Sequence, residues 1–186
     1  MIVKIPNPIL TAPAKAIAKI DKKILGFIEQ MKLTLINTKN PKGVGLAAPQ
    51  IGIGLKIFIT RPTGASPIGV FINPEITWKS KELSDIKRVT VDAKNQAHDK
   101  KLEGCLSIPN VWGYLKRSNR VKLRYMNING NIEEKEFTDF EATIVQHETD
   151  HLNGILFPKR VLEQNRKLYR IDKTENEEEK LVEIEL

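Results

Sequence analysis

Apolar side chains recur at helical spacing in the first part of the chain. Between Ile20 and Leu35 they fall at every third or fourth position, with Asp21 near the start and lysine or glutamine between them. Such a period is typical of a helix that buries one face against a core. The pattern therefore predicts an N-terminal amphipathic helix over residues 20–35.

The middle of the chain consists of short runs rich in β-branched and aromatic residues. Such runs predict strands. They are Lys56–Thr60, Gly69–Ile72, Arg120–Met126 and Ile132–Phe137. Asn129, Gly130 and Asn131 separate the last two runs and tolerate positive φ, so an antiparallel hairpin is expected there. The mostly polar residues 79–101 indicate a loop or an edge hairpin.

Helical spacing returns after the strands, over residues 139–152. Phe140 and Ile144 occupy apolar positions of this period. Asp139 can cap the start, and Gly154 marks the end. The pattern predicts a second helix.

The order helix, strands, helix predicts an α+β domain. We expect antiparallel β-sheets packed around the second helix as the central element. A third, basic helix or turn is expected around residues 161–169. We expect a single catalytic domain over residues 1–170, followed by an acidic C-terminal tail over residues 171–186.

The composition agrees with one enzyme-sized domain. A chain of 186 residues buries a sizeable core without disulfides. The sequence has no apolar run long enough for a membrane span and no secretory signal pattern, so we expect a cytoplasmic protein with no membrane partner. The single cysteine, Cys105, forms no internal disulfide. It is a small buried hydrophobe, a nucleophile or a metal ligand.

The net charge of +7 is unevenly distributed along the chain. Residues 172–186 contain seven acidic side chains against Lys173 and Lys180, so the rest carries a larger positive surplus. That surplus favours loose attraction to polyanions such as RNA. Ordinary solvated lysines explain it equally, and we expect no specific nucleic-acid site.

An H-E-x-x-H segment lies inside the second predicted helix, from His147 to His151. Positions i and i+4 of a helix lie on one face, about 5–6 Å apart, so two imidazoles can converge on one ion. Glu148, next to the first histidine, can exchange protons with a water at that ion. The plainer alternative is a solvated helix face that carries the pattern by chance.

A catalytic site of this kind usually has three protein ligands and one open position. The metzincin pattern would place the third histidine where this chain has Phe157. The remaining histidine, His98, lies in a polar stretch typical of a solvated surface. Cys105 follows the flexible Gly104, and a thiolate there would complete a Cys-His-His set.

A third segment, Gly43-Val-Gly-Leu-Ala-Ala-Pro-Gln50, is weak evidence by itself. Two glycines around one apolar residue suit a strand edge that pairs with a ligand's backbone, and they equally suit a structural turn. The segment lacks the third glycine of a dinucleotide fingerprint and the Gly-Lys-Ser/Thr ending of a phosphate loop.

Together and in this order, three segments resemble the signature motifs of the peptide deformylase family. The segments are Gly43-Val-Gly-Leu-Ala-Ala-Pro-Gln50, Glu103-Gly-Cys-Leu-Ser107 and Gln146-His-Glu-Thr-Asp-His-Leu-Asn-Gly154. The resemblance implies a metallohydrolase that removes the N-formyl group from the initiator methionine of nascent polypeptides and releases formate. It also implies that Cys105, His147 and His151 bind one divalent metal ion. Fe(II) is expected, with zinc, nickel or cobalt as replacements.

The resemblance also implies roles for residues around the metal. Glu148 would transfer protons, while the Gln50 side chain and the Leu106 N–H would donate hydrogen bonds to the developing oxyanion. Glu103 and Arg117 would form a supporting ion pair beside the cysteine segment; the plain alternative for these two is surface charge.

Substrate placement is implied less directly. The segment of Val44 and Gly45 would pair with the peptide backbone. The methionine side chain would enter a pocket lined by Val44, Phe140 and Ile144. Nascent formyl-methionyl peptides are the expected partner.

Some features depart from the family pattern. Trp112 stands where some members have an arginine that contacts the peptide, so the resemblance leaves the preference beyond methionine open. The segment over residues 76–102 is longer than in compact members. The acidic end leaves open how the chain would contact the ribosome surface.

Two other functions are considered. A zinc endopeptidase would share only the helix motif and need a downstream ligand, for which Glu163 is the nearest candidate. A non-catalytic ribosome- or RNA-binding relative would have lost motif residues, yet all of them are present.

Overall fold

The computed structural model describes residues 1–39, 42–86, 88–91, 97–100, 102–173 and 179–185. In these residues the chain is a mixed α/β protein with antiparallel sheets and three α-helices. The helices are α1 (Lys22–Asn37), α2 (Asp139–Leu152) and α3 (Phe157–Glu163). Short 3-10 turns lie at Pro8–Leu10 and Ala48–Ile51. None of the helices in these ranges is long and apolar enough to cross a bilayer.

The strands form two larger sheets and two small ribbons. In chain order they are β1 (Gly45–Ala47), β2 (Ile57–Thr60), β3 (Gly69–Lys79), β4 (Leu83–Ser84), β5 (Arg88–Val91), β6 (Ala97–Lys100), β7 (Leu102–Cys105), β8 (Ile108–Tyr114), β9 (Arg117–Ser118), β10 (Arg120–Met126), β11 (Ile132–Thr138), β12 (Leu168–Lys173) and β13 (Glu179–Glu183). One sheet has the order β1-β2-β3-β10-β11 and the other the order β13-β12-β8-β7. The pairs β4–β9 and β5–β6 stand apart.

Helix α1 begins two residues later than the periodicity suggested. Asp21 is its N-cap, and its side chain accepts a hydrogen bond from the Ile24 N–H at 2.9 Å, which satisfies one of the free donors of the first turn. The buried positions are Ile24, Ile28, Met31 and Leu35. Burying each such side chain contributes about 1.5–3 kcal/mol.

The five-stranded sheet has a helix on each face. Along β2 the side chains alternate, so Ile57 and Ile59 join the cluster that contains the α1 residues. Phe58 points the other way and joins Ala142 and Val145 of α2. This double cover explains why all four residues of β2 are buried.

Helix α2 spans the predicted range, but its cap differs from the expectation. Thr138 is the N-cap residue. Asp139 is the first residue of the helix and has a positive φ of 52°. The prediction that Asp139 caps the helix was therefore wrong. Gly154 follows the end of the helix with φ of 70°, a conformation that suits glycine.

Two other predicted boundaries were wrong. The third helix covers residues 157–163 rather than 161–169, because Phe157 and Val161 both bury into the core and Pro158 suits a first helical turn. Tyr169 lies in β12, where it pairs with Trp112 of β8. Strand β3 continues to residue 79, beyond the predicted end at residue 72, because it pairs with β10 along its length.

The predicted hairpin and edge segment are present. β10 and β11 pair from Arg120 opposite Thr138 to Met126 opposite Ile132, and Gly130 in their loop has φ of 87°. Part of the polar segment forms the antiparallel ribbon β5–β6. At the carboxyl end, β13 pairs with β12. The domain boundary at residue 170 stays a prediction.

Candidate active site

Three potential metal ligands converge where α2 meets the end of β7. The donor atoms of Cys105, His147 and His151 all lie within 4.8 Å of one another. Cys105 ends β7, and the two histidines lie one helical turn apart on α2, with ring centroids 4.9 Å apart. The Cys105 Sγ lies 3.1 Å from the His151 Nε2.

His147 is oriented by an acid from the other sheet. Its Nδ1 lies 2.6 Å from the Glu103 Oε1 on β7. An N–H at Nδ1 that donates to this carboxylate leaves the Nε2 lone pair free for a metal. The ring of Phe157 stacks on the His147 imidazole, with ring centroids 6.3 Å apart. The residue at the metzincin histidine position therefore packs against a potential metal ligand and is not one itself.

Glu103 belongs to a buried chain of charges. Arg117 donates to both Glu103 oxygens, at 2.7 and 2.8 Å, and also to Asp150 at 2.9 Å. Arg160 of α3 also donates a hydrogen bond to Asp150, at 2.8 Å, and another to Glu163, at 2.9 Å. Glu103 and Arg117 thus form the ion pair that the sequence suggested, within a larger network.

The network sets the charge of its members. Burial of Glu103 would raise its pKa, but the Arg117 charge and hydrogen bonds outweigh burial and hold that pKa well below the usual range. Asp150 is likewise held ionised, since the hydrogen bonds of Arg160 and Arg117 overcome its burial and lower its pKa. Both acids therefore act as anions that fix their cationic neighbours.

His151 is buried, with 1% of its surface exposed. Burial lowers its pKa well below the ordinary value, so its imidazole is neutral, as a metal ligand must be. Its Nδ1 has no hydrogen-bond partner in the described residues. Neutral imidazole and a thiolate together suit zinc, iron, nickel or cobalt, so this cluster could hold one divalent metal.

Glu148 lies beside the cluster on α2 and is almost fully buried. Burial raises the pKa of this carboxyl to about 7, a value suited to a group that both takes and returns a proton near neutral pH. Its Oε2 has no hydrogen-bond partner in the described part of the chain. A Cβ at Gly45 would collide with the same carboxylate, so only glycine lets β1 approach so closely.

Gln50 reaches the cluster from the 3-10 turn after β1. The Ala47 N–H donates to its Oε1 at 2.9 Å, which fixes the orientation of the carboxamide. The Nε2 is thereby aimed at the Cys105 Sγ, 3.5 Å away, and at the Ser107 Oγ, 3.3 Å away. A hydrogen-bond donor is thus held beside the potential metal ligands.

Leu106 lies in the tight turn between β7 and β8, where the strand register shifts after Gly104. A Cβ at Gly104 would lie 2.6 Å from the Trp112 ring, so the indole covers this glycine closely. The turn brings the Leu106 backbone next to the Cys105 sulfur.

These residues surround a cavity of about 100 Å³. Pockets that enclose a whole small-molecule ligand usually have volumes of roughly 300–1,000 Å³. This smaller cavity suits a single side chain. All four residues predicted to contact the substrate, Val44, Gly45, Phe140 and Ile144, line this cavity, together with residues that had no predicted role. Its lining comprises Lys42, Gly43, Val44, Gly45, Gln50, Ile86, Leu102, Glu103, Gly104, Cys105, Leu106, Trp112, Phe140, Thr143, Ile144, His147 and Glu148.

Strand β1 forms one edge of the five-stranded sheet. It pairs only with β2 among the described strands, from Gly45 opposite Thr60 to Ala47 opposite Phe58. Gly45, its first residue, lines the cavity. The backbone of Gly45 is therefore available to an extended ligand.

Sequence reasoning missed part of the site. Asp150 and Arg160 had no predicted role, although Asp150 lies within the H-E-x-x-H segment and its spacing after His147 places it on a neighbouring face of the helix. Ser107 ends the cysteine segment, which was its only signal. The side chain of His98 lies outside the described residues.

Comparison with known proteins agrees with this geometry. The sequence model of polypeptide deformylase matches residues 1–167. Peptide deformylase from Pseudothermotoga lettingae is 39% identical over 151 residues, 81% of this chain and 76% of that protein. Peptide deformylase from Borreliella burgdorferi is 40% identical over 152 residues, 82% of this chain and 81% of that protein.

A solved structure shares the fold. The crystal structure of peptide deformylase from Thermotoga maritima superposes with a TM-score of 0.72 at 34% identity, and the match covers 87% of this chain and 96% of that one. Family match, sequence identity and fold agree along most of the chain. The chain belongs to the polypeptide deformylase family.

Proposed function

We propose that this protein hydrolyses the N-formyl group of formyl-methionyl nascent peptides and releases formate and a free amino terminus. One observation supports this most strongly. The donor atoms of Cys105, His147 and His151 lie within 4.8 Å of one another, and two of these residues, Cys105 and His147, line the same small cavity as Glu148 and Gln50. A cluster of this kind combines a metal position, a proton carrier and an oxyanion donor.

Cys105, His147 and His151 would hold one divalent metal ion. The donor set and the neutral, buried His151 fit such an ion. When bound, the metal supplies a Lewis acid that polarises the formyl carbonyl and eases the deprotonation of water. Fe(II) is the ion we expect in the cell, with zinc, nickel or cobalt as replacements.

Glu148 would carry the proton. Its Oε2 has no partner in the described residues, and the side chain lines the cavity. The carboxylate would take a proton as a water oxygen bonds to the formyl carbon. When the carbon–nitrogen bond breaks, Glu148 returns that proton to the leaving nitrogen. Water and the formyl amide thus become formic acid, which ionises to formate, and a free amine.

Gln50 and Leu106 would stabilise the charge that develops on the formyl oxygen. The Gln50 carboxamide is already oriented by Ala47, so it needs little reorganisation during the reaction. The Leu106 N–H lies in the adjacent turn and donates to no other group in the described residues. Each donor of this type contributes about 3 kcal/mol to the barrier reduction.

The substrate backbone would pair with the open edge of β1 at Val44 and Gly45. The methionine side chain would then enter the cavity beside Phe140 and Ile144. Both residues line the cavity and lie on α2, one helical turn apart. An unbranched thioether fits such an irregular apolar space well.

We further infer that α2 is the central helix of the domain and α1 an amphipathic cover. The first inference is supported because α2 packs on the five-stranded sheet while its histidines meet β7 of the other sheet. Because formylated chains are produced by ribosomes, we place the enzyme in the cytoplasm, near the ribosome surface.

The two other functions lack support. A zinc endopeptidase with Glu163 as ligand is disfavoured because Glu163 is paired with Arg160 at 2.9 Å, while Cys105 occupies the third position of the cluster. A non-catalytic relative is disfavoured because all three potential ligands lie together and Glu148 and Gln50 line the cavity beside them.

The test is an anaerobic assay of formate release from a formyl-Met peptide, combined with metal analysis. Glu148→Ala should keep its metal and lose turnover by at least about 100-fold, since it removes the proton carrier. Glu141→Ala on the same helix, at an exposed position, is the matched control and should behave like the unmodified protein. Unchanged turnover in Glu148→Ala would refute the mechanism.

The identity of the metal has its own test. Air should inactivate the iron-loaded protein faster than a nickel- or cobalt-loaded one, because Fe(II) and the Cys105 thiolate both oxidise. Loss of activity is followed over time for each metal form. Equal decay of all forms would argue against iron.

A further inference from the structure

The first five residues form an arm that connects two segments of the site. The Val3 N–H donates to the Gln50 carbonyl at 2.8 Å, and the Ile5 N–H donates to the Ser107 carbonyl at 3.1 Å. The donors lie two residues apart, the spacing at which an extended segment presents its N–H groups to one side. The arm therefore spans from the glutamine segment to the cysteine segment.

The two connected segments belong to different sheets. Gln50 lies in the 3-10 turn that follows β1 of the five-stranded sheet. Ser107 lies in the turn between β7 and β8 of the four-stranded sheet. Within the described residues, neither Leu106 nor Ser107 has a partner in a strand ladder. The turn therefore lacks the regular constraint that would fix its distance from Gln50.

A closed ring of hydrogen bonds results. The Gln50 Nε2 lies 3.3 Å from the Ser107 Oγ, so the two segments also contact each other directly. The arm completes the ring on the backbone side, and Ser107 is fully buried within it. Ile2 and Lys4 of the arm line a cavity together with Cys105 and Leu106.

We propose that residues 1–5 act as a positioning arm, which fixes the Gln50 carboxamide and the Leu106 N–H relative to each other. None of residues 1–5 lines the cavity proposed for substrate, although Ile2 and Lys4 lie near Cys105 in the second cavity. It acts through the backbones of Gln50 and Ser107. This inference rests on the proposed function, because it assigns the arm to the oxyanion donors of that reaction.

The test exchanges single residues of the arm for proline, which removes one N–H donor. Val3→Pro deletes the hydrogen bond to Gln50. Lys4→Pro is the matched control, because the Lys4 N–H donates to no group in the described residues. Val3→Ala keeps the donor and controls for the lost side chain. Each protein is loaded with the same metal, and its metal content is measured.

Two readouts distinguish positioning from general stability. The first is kcat and KM for formate release from a formyl-Met peptide. Val3→Pro should lower kcat about tenfold or more with KM nearly unchanged, because a small displacement of the donors weakens transition-state stabilisation. The second is hydrogen exchange at the Ala47 amide, which donates to the Gln50 Oε1 and therefore reports on the carboxamide; its exchange should become faster in Val3→Pro alone.

The outcomes separate this inference from the proposed function. Equal kcat and equal exchange in Val3→Pro and Lys4→Pro, with an active unmodified protein, would overturn the arm's role only. An inactive unmodified protein would instead refute the proposed function, and the exchange comparison would still decide about the arm.

A shortened chain replaces Val3→Pro if that variant does not fold. It starts at position 4 with Lys4→Met and lacks the Val3 donor. Reduced kcat with retained metal supports the arm, and an unchanged kcat contradicts it.

Discussion

The Arg117 Nη1 lies 2.9 Å from the Asp150 Oδ2, and this ion pair joins two parts of the site that are distant in sequence. Arg117 also holds Glu103, which in turn holds the first histidine of α2. The orientation of that imidazole therefore depends on charges supplied by a strand, by α2 itself and by α3. The orientation of His147 is thus fixed by a chain of charges that begins at the cavity wall with Glu103 and ends at α3.

Removing the charge of Glu103 should weaken metal binding. Glu103→Gln keeps the shape of the side chain but removes the anion that orients His147 and pairs with Arg117. We expect metal affinity to fall by about 10–100-fold. The free energy of unfolding should fall by about 3–5 kcal/mol, because the buried Arg117 loses one of its two carboxylate partners.

The measurement is competition with a chelator for nickel or zinc, together with urea unfolding. Glu141→Gln on the exposed side of α2 is the control. An affinity equal to that of the control would contradict the role of Glu103.

Asp150 should matter more for stability than Arg160. Asp150→Asn leaves two arginines facing a neutral amide, one of them the buried Arg117, so we expect a loss of about 3–5 kcal/mol. Arg160→Ala removes a side chain that is one-third exposed, and its loss should be about 1 kcal/mol or less. Urea unfolding of both variants checks the order, and the reverse order would contradict this account.

A methyl group at position 45 should block the reaction. In Gly45→Ala the new Cβ collides with the Glu148 carboxylate and with Ile144, so the proton carrier must move. We expect kcat to fall by about 100-fold or more, with metal content retained.

Gly26→Ala is the matched control for Gly45→Ala. Apart from its chain neighbours and the backbone of its own helix, no heavy atom of the described residues lies within 4 Å of the new Cβ, and the position is inside α1. The substitution should leave kcat unchanged and stabilise the protein by about 0.5–1 kcal/mol. Equal losses of kcat in both variants would show that the effect is not local.

Tyr125 should titrate at unusually high pH. Burial and its 2.7 Å hydrogen bond to Glu133 raise its pKa from 10.0 to about 12, so the folded state favours the neutral phenol. The resulting stability is fully present below pH 10 and is lost as the pH rises towards about 12. Glu133 shifts the opposite way, since the Tyr125 hydrogen bond lowers its pKa. Its contribution is present above the ordinary carboxyl value and is lost on acidification.

Ultraviolet titration of phenolate absorbance measures the Tyr125 shift. Tyr125→Phe identifies the group, and Glu133→Gln should move its pKa back towards 10.0. An unchanged titration in Glu133→Gln would contradict the assigned cause.

Much of the fold could be predicted from local patterns. The second helix and the hairpin of β10 and β11 follow from periodicity and turn residues, which are local signals. The basic residues after Val161 predict the third helix too late in the chain, whereas the buried side chains of Phe157 and Val161 decide where it packs. Tertiary contacts override such local preferences.

The candidate site divides in the same way. Cys105, His147 and Glu148 lie in short motifs, and their residue types are typical of metal ligands and proton carriers. The partners of Asp150 come from β9 and α3, so its role depends on how three elements meet and has no signature in the sequence. The arm at Val3 acts through backbone atoms, which any residue except proline supplies.

The open edge of β1 has a further consequence. An unpaired strand edge is a template for aggregation when it is exposed. Here the strand has only three residues, all buried, and Gly45 at its start lines a cavity that suits one side chain. A long strand of another chain therefore has too short an edge to pair with, whereas the end of one extended peptide can reach the edge at Gly45.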